Sequence, residues 1–206
     1  MLGGGAEWPW TQVGRDACGY RWGMTERKTY LLVDGENIDA TLGNSVLGRR
    51  PHSDERPRWN VLLEHFSESW GQPVVPLFFL AANGDLPMTF VQALIAMGYK
   101  PVPLNGEGKV VDIAIQRTAA ALKDREGDVV LVSHDRDFAE QMADLAEDEE
   151  ERRLAAVGFG EFMAGDLRKI PGLEIIDLEY DVQAFKKPLP RVHIIDIDEF
   201  DPLDFI

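Results

Sequence analysis

The chain holds a single cysteine, Cys18, among its 206 residues. One cysteine excludes an internal disulfide and a cysteine-built metal cluster, and it suits a reducing cytoplasm. Long apolar runs are also missing. Apolar residues make up 45% of the chain, yet none of their runs reaches the roughly 18 residues that a bilayer-crossing helix needs. No membrane partner is expected, and the N-terminus lacks the basic-then-apolar pattern of a secretory signal. Cations are scarce: 21 Lys and Arg stand against 36 Asp and Glu, a net charge of −15. That balance excludes a chain that coats nucleic acid by bulk attraction. It leaves open an enzyme of nucleic acid whose acids hold metal ions.

What is present is a series of short apolar runs, each ending in polar residues. The chain is organised around Tyr30-Leu31-Leu32-Val33-Asp34-Gly35-Glu36-Asn37. A buried strand over 29–34 would carry Asp34 to the edge of a sheet, where ligands of open α/β sheets bind. The design returns in Val129-Val130-Leu131-Val132-Ser133-His134-Asp135-Arg136-Asp137-Phe138. Further strands are expected over 74–81, 99–104, 153–159 and 173–178. Pro101 and Pro103 imply an edge or irregular position for the second of these. Helices are expected over 38–47, 59–70, 86–97, 109–123, 135–145 and 161–168. Strands alternating with helices predict βαβ units, a mostly parallel sheet and helices on both faces. No repeat of solenoid period is present.

Three domain segments follow: an irregular extension over 1–28, a folded domain over 29–180 and an acidic-hydrophobic tail over 181–206. The extension scatters Trp8, Trp10 and Trp22 among glycines. It reads as upstream sequence, with Met24 as an alternative start, or as an aromatic arm for a partner. The tail alternates acids with Ile197, Phe200, Leu203 and Phe205. It reads as a solvated tail, a docking segment for a protein partner, or a flap folded over the chain's own groove. Glu147 to Glu151 reads as a solvated run.

Three aspartates at two strand ends point to a divalent metal. Mg²⁺ and Mn²⁺ take oxygen ligands, and metal pairs of this kind serve phosphodiester hydrolysis. Asp34, Asp135 and Asp137 are the donors. The competing structural role is capping of the following helix, although one cap needs only one of Asp135 and Asp137. On the helix over 109–123, Lys109, Asp112 and Gln116 share one face. Asp112 is either a fourth metal ligand or a first-turn acid favoured by the helix dipole. Asp85 reads as a helix cap or as a further member of the acidic site. Asn37 would orient a carboxylate or touch a phosphate. Lys109, Ser133, His134 and Arg136 are candidate substrate contacts, with Ser133 and His134 also open to purely structural roles. Arg49 and Arg50, with Arg56 and Arg58, form a basic loop that reads as phosphate-contacting or as solvated.

In this order, the motifs resemble the NYN domain family, the PIN-like group that includes LabA-like proteins. The resemblance rests on Asp34-Gly35-Glu36-Asn37, on Lys109-Val110-Val111-Asp112 and on Ser133-His134-Asp135-Arg136-Asp137-Phe138, and it covers about residues 29–180. It implies a PIN-like three-layer α/β/α sandwich and a Mg²⁺- or Mn²⁺-dependent ribonuclease site acting on RNA. Asp34, Asp112, Asp135 and Asp137 would gather the metals, with Asn37 beside them. The departure is His134, where the family pattern has glycine.

Two functional classes are therefore in play. One is metal-dependent hydrolysis of RNA. The other is a non-catalytic PIN-like module that docks on RNA or protein, alone or as an oligomer. A Toprim-like site fits less well, because that fold places Glu where this chain has Asp34. A phosphatase of the haloacid dehalogenase type needs Asp-x-Asp on the first strand, and position 36 is Glu.

Overall fold

A computed structural model describes residues 27–84, 86–147, 151–191, 195, 197–198 and 200–205. Most of the N-terminal extension, Asp85 and part of the acidic run therefore lie outside the described residues. Six parallel strands form one sheet: β1 Thr29–Asp34, β2 Val74–Ala81, β3 Lys100–Leu104, β4 Asp128–Val132, β5 Leu154–Gly158 and β6 Leu173–Asp177. Their order across the sheet is β3-β2-β1-β4-β5-β6. The helices are α1 Gly35–Thr41, α2 Trp59–Trp70, α3 Met88–Ala96, α4 Val110–Leu122, α5 Ala139–Ala146 and α6 Gly165–Arg168.

That strand order decides where the helices lie. From β1 the chain moves outward through β2 to β3, then crosses back past β1 to β4 and continues to β6. Right-handed crossovers in opposite directions place their helices on opposite faces. Accordingly α2 and α3 pack on one face against Leu31, Val33, Phe78 and Val132. Helices α4, α5 and α6 pack on the other, against Leu32, Phe79, Leu131 and Ala156. Neighbouring residues of each strand point to opposite cores, as a pleated strand requires. With both faces covered, β4 is buried along its whole length. The result is a three-layer α/β/α sandwich.

β3 is an edge strand carrying Pro101 and Pro103, which pairs only with β2. A proline there removes a donor that no second neighbour would use. Helix α2 ends at Gly71, whose φ of 65° is the left-handed C-terminal conformation that glycine adopts without strain.

Two helices start differently from expectation. α1 begins at Gly35 because Asp34 accepts the Asn37 N–H at 3.1 Å, and it continues as a π-helical stretch over Leu42–Leu47. The helix after β4 opens as a 3₁₀ turn, Arg136–Phe138, because Asp135 accepts the Asp137 N–H at 2.9 Å. The domain boundary drawn at residue 180 also cuts through a packed stretch. Val182 and Ala184 are buried in the core, and Arg191 lies in an ion cluster at the β5–β6 edge. Among the described residues, no helix is long and apolar enough to cross a membrane.

Candidate metal centre

The sheet reverses its winding between β1 and β4. At such a switch point the two following connections leave in opposite directions and open a crevice beyond the strand ends. In the β1–β4 register, Val33 lies beside Val132, so Asp34 and Ser133 leave their strands together. The Ser133 hydroxyl donates to Asp34 Oδ2 at 3.1 Å. It also accepts the Asp135 N–H at 3.3 Å. One buried hydroxyl therefore ties the first motif to the second.

Carboxylate oxygens of Asp112, Asp135 and Asp137 lie within 4.8 Å of one another, and all three residues are half-buried. Two elements supply them: the first turn of α4 and the turn after β4. The helix face read from the sequence fixes their approach. Gln116 Nε2 donates to the Asp137 carbonyl at 2.9 Å. Two turns earlier, Lys109 Nζ reaches the Asp137 carboxylate and lies 3.3 Å from Asp112. Its hydrogen bond holds the Asp137 carboxyl below the usual range. In return, first Asp137 and then Asp112 raise the Lys109 ammonium. A protein cation already sits against two of the three acids, as expected where negative charge is crowded.

Asp34 was expected among the metal ligands, and it does not belong to this group of three. It stands behind, with only 4% of its surface exposed. Burial pushes its carboxyl up to about 6, against the Asn37 N–H and Ser133 hydroxyl bonds that favour the ion. The charges of Asp112 and Glu36 push it up further. Asp34 thus senses Asp112 across the crevice. A cation nearby would return it to the ionised form.

Ser133 and His134 were open to substrate contact or to structural roles, and the structure shows the structural ones. Ser133 is fully buried and His134 is 6% exposed. Both His134 ring nitrogens have partners: Asn37 and Thr41 at Nδ1, and the Phe159 N–H at Nε2. Burial lowers its ring to about 4, so it is neutral at physiological pH. The Asn37 side-chain oxygen accepts from His134, and only its backbone N–H reaches a carboxylate, that of Asp34. Arg136 is exposed beside the cluster. Three of the four arginines in the basic loop are engaged by other groups of the chain. Arg49 pairs with Glu55, Arg56 with Asp39, and Arg58 binds the Gln183 and Phe185 carbonyls. Arg50 alone of the four has no side-chain partner among the described residues.

Sequence reasoning missed several supports of the site. Glu36 accepts the Ala81 N–H at 3.0 Å, clipping the end of β2 to the start of α1. Gly35 lets the Phe78 ring approach: an added Cβ would lie 2.4 Å from it. Arg191 joins Asp177, Glu179 and Glu161 with 2% of its side chain exposed. Its only local signal is a lone cation ahead of an acidic tail, which gives no address for its partners.

The comparisons with known proteins bear on the fold. No family model matches the chain, and no curated protein matches it. A crystal structure of a protein of unknown function from Vibrio parahaemolyticus is similar, with a TM-score of 0.61 at 17% identity. The match covers 78% of this chain and 98% of that one. At that identity the likeness extends to the architecture alone.

Proposed function

We propose that this chain is a Mg²⁺- or Mn²⁺-dependent ribonuclease that hydrolyses RNA phosphodiester bonds at the β1–β4 switch point. The observation that carries the reading is the group of three carboxylates within 4.8 Å, supplied by two elements at the C-terminal edge of a parallel sheet. The donor set is all oxygen, which fits a hard divalent cation. RNA as the substrate class comes from the resemblance of the three motifs to the NYN family.

Asp112, Asp135 and Asp137 would hold the cation, with Asp34 adding charge from behind through Ser133. A cation there would supply Lewis acidity toward a phosphodiester. The chain's own residues do the rest. Asp135 is oriented by the turn that it caps, and Asp137 by the Gln116 bond to its backbone. Lys109, exposed beside the acids, would turn from its internal pairing to a substrate phosphate once a metal neutralises its partners. Arg136 would add a second phosphate contact. The lone cysteine suits work in a reducing cytoplasm.

A second reading, a PIN-like module that binds RNA or protein without cleaving, draws on two observations. Lys109 already neutralises part of the acidic group, and two of the four loop arginines are in internal ion pairs. The deciding experiment is calorimetric titration with Mn²⁺ and Mg²⁺, with Asp135→Asn in parallel, followed by incubation of both proteins with labelled single-stranded RNA. Binding and cleavage that are both lost in the variant support the nuclease. Binding without cleavage supports the module. No metal binding returns the acids to a structural role.

A further inference from the structure

Asn37 and His134 form a bracket at the switch point whose hydrogen-bonding polarity is determined. The Phe159 backbone N–H donates to His134 Nε2 at 2.7 Å. That nitrogen therefore carries the lone pair, and in the neutral ring the proton sits on Nδ1. Nδ1 lies 2.8 Å from Asn37 Oδ1 and 3.3 Å from Thr41 Oγ1. The His134 backbone N–H donates to the same Asn37 oxygen at 2.9 Å. Two donors thus occupy the two lone pairs of one amide oxygen. Turning the amide over would set its NH₂ against two N–H groups, so the orientation is locked. The Asn37 NH₂ group has no partner among the described residues, and its nitrogen is not sealed from solvent.

The ring that imposes this orientation is itself immobilised. A Cβ on Gly158 would lie 2.5 Å from His134 Nε2, so a glycine is what lets the imidazole fit. Phe159 stacks on the ring at 5.5 Å, and the Arg191 guanidinium lies 5.0 Å from the Phe159 ring centre. Position 134 is glycine in the motif that this turn resembles. A glycine has no ring, so the bracket is a property of this chain.

We infer that His134 is a positioning residue that holds the Asn37 amide as a fixed hydrogen-bond donor to a phosphate oxygen at the acidic edge. The phosphate as acceptor rests on the reading given above. A neutral donor suits this place, because it recruits an anion without drawing the neighbouring carboxylates into a further ion pair.

The test follows the Asn37 side-chain amide by NMR in the Mg²⁺-supplemented protein, titrated with inorganic phosphate and with a short phosphorothioate RNA. The wild type should show one rigid amide whose resonances move on titration. His134→Met fills the space without a donor and should give a mobile amide with no shift. His134→Gln offers a donor and an acceptor and should restore part of it. RNA affinity should fall about tenfold in His134→Met and in Asn37→Ala, and no further in the double variant, which is the signature of one coupled unit. Mn²⁺ affinity should stay within about twofold, since neither residue is a ligand. If His134→Met does not fold, the wild-type titration and Asn37→Ala decide. A wild-type amide that ignores phosphate, or additive losses in the double variant, overturns the positioning role even where the protein cleaves RNA. A phosphate-sensitive, His134-dependent amide in a protein that never cleaves RNA upholds it and removes the nuclease reading.

Discussion

Two clusters of acids stand on the same edge of the same sheet, and they are built in opposite ways. At the β5–β6 end, Asp177, Glu161 and Glu179 surround Arg191, whose side chain is 2% exposed. Asp177 also accepts the backbone N–H groups of Gly160, Glu179 and Tyr180. The guanidinium lies over the Phe159 and Tyr180 rings. That cluster is tied by one buried guanidinium and by backbone N–H donors. At the β1–β4 end, three carboxylates lie together, and Lys109, whose side chain is 66% exposed, touches two of them. Asp34 lies behind them, its carboxyl raised by burial. Each place sets three acids against one cation; in one the cation is buried and touches all three, in the other it is exposed and touches two. A cluster that completes itself holds the chain together. One that does not is where an outside cation has reason to bind.

The largest contrast comes from removing one charge from each cluster. Asp135→Asn should abolish Mn²⁺ binding and RNA cleavage while leaving the unfolding midpoint nearly unchanged, as read by calorimetry and thermal melts. Arg191→Met should do the reverse. Leaving buried carboxylates without their cation costs on the order of 3–5 kcal/mol, enough to lower the melting temperature by several degrees with little change in metal affinity. Equal effects on stability and metal binding in both variants would erase the distinction.

The second contrast is in pH. Arg191 and neighbouring hydrogen bonds hold Asp177 and Glu161 below their ordinary values. Their stabilisation is present above about pH 4.5 and is lost as pH falls through the lowered folded-state values. Asp34 has the opposite sign. With its carboxyl raised to about 6, its contribution is fully present below its unfolded value near 3.8 and is lost as pH rises through 6. The shift corresponds to about 3 kcal/mol. Urea midpoints between pH 3 and 8 should show that rising penalty in the metal-free protein. Asp34→Asn should remove it, and added Mg²⁺ should reduce it. Acid loss below pH 4.5 should persist in Asp34→Asn and diminish in Arg191→Met.

A smaller effect is expected at Lys109. Lys109→Met removes the resident cation, so Mn²⁺ should bind several-fold tighter while RNA affinity falls, measured by calorimetry and by filter binding. Smallest is the basic loop. With Arg49 and Arg56 in internal ion pairs, Arg50→Ala should change the salt slope of RNA binding by at most about one, and Arg49→Ala by less.

Much of this architecture was legible in the sequence. Buried strands announce themselves as apolar runs, and Tyr30–Val33, Val74–Ala81 and Val129–Val132 fall where they were read. Pro101 and Pro103 named the edge strand correctly, because a missing donor is a local fact. The shared face of Lys109, Asp112 and Gln116 was also local, and helical spacing was enough to find it. The failures were nonlocal. Ser133 and His134 lie next to an acid, and nothing in their neighbourhood says that Phe159 and Asp34, far away in sequence, would occupy their polar atoms. Arg191 looked like part of a tail, because its partners follow β5 and β6 and come together only when those strands pair. The tail's acids concealed the one residue that closes the fold.

The Arg191 lock also bears on the order in which the chain can be completed. The residue comes 14 positions after Asp177, its nearest partner from the last strand. Until it arrives, the β5–β6 edge holds paired strands and unbalanced acids. A chain that stopped short of it would leave Glu161, Asp177 and Glu179 without their shared cation. A fragment cut just after β6 would lose that cation together with Leu178, Val182 and Ala184 of the core.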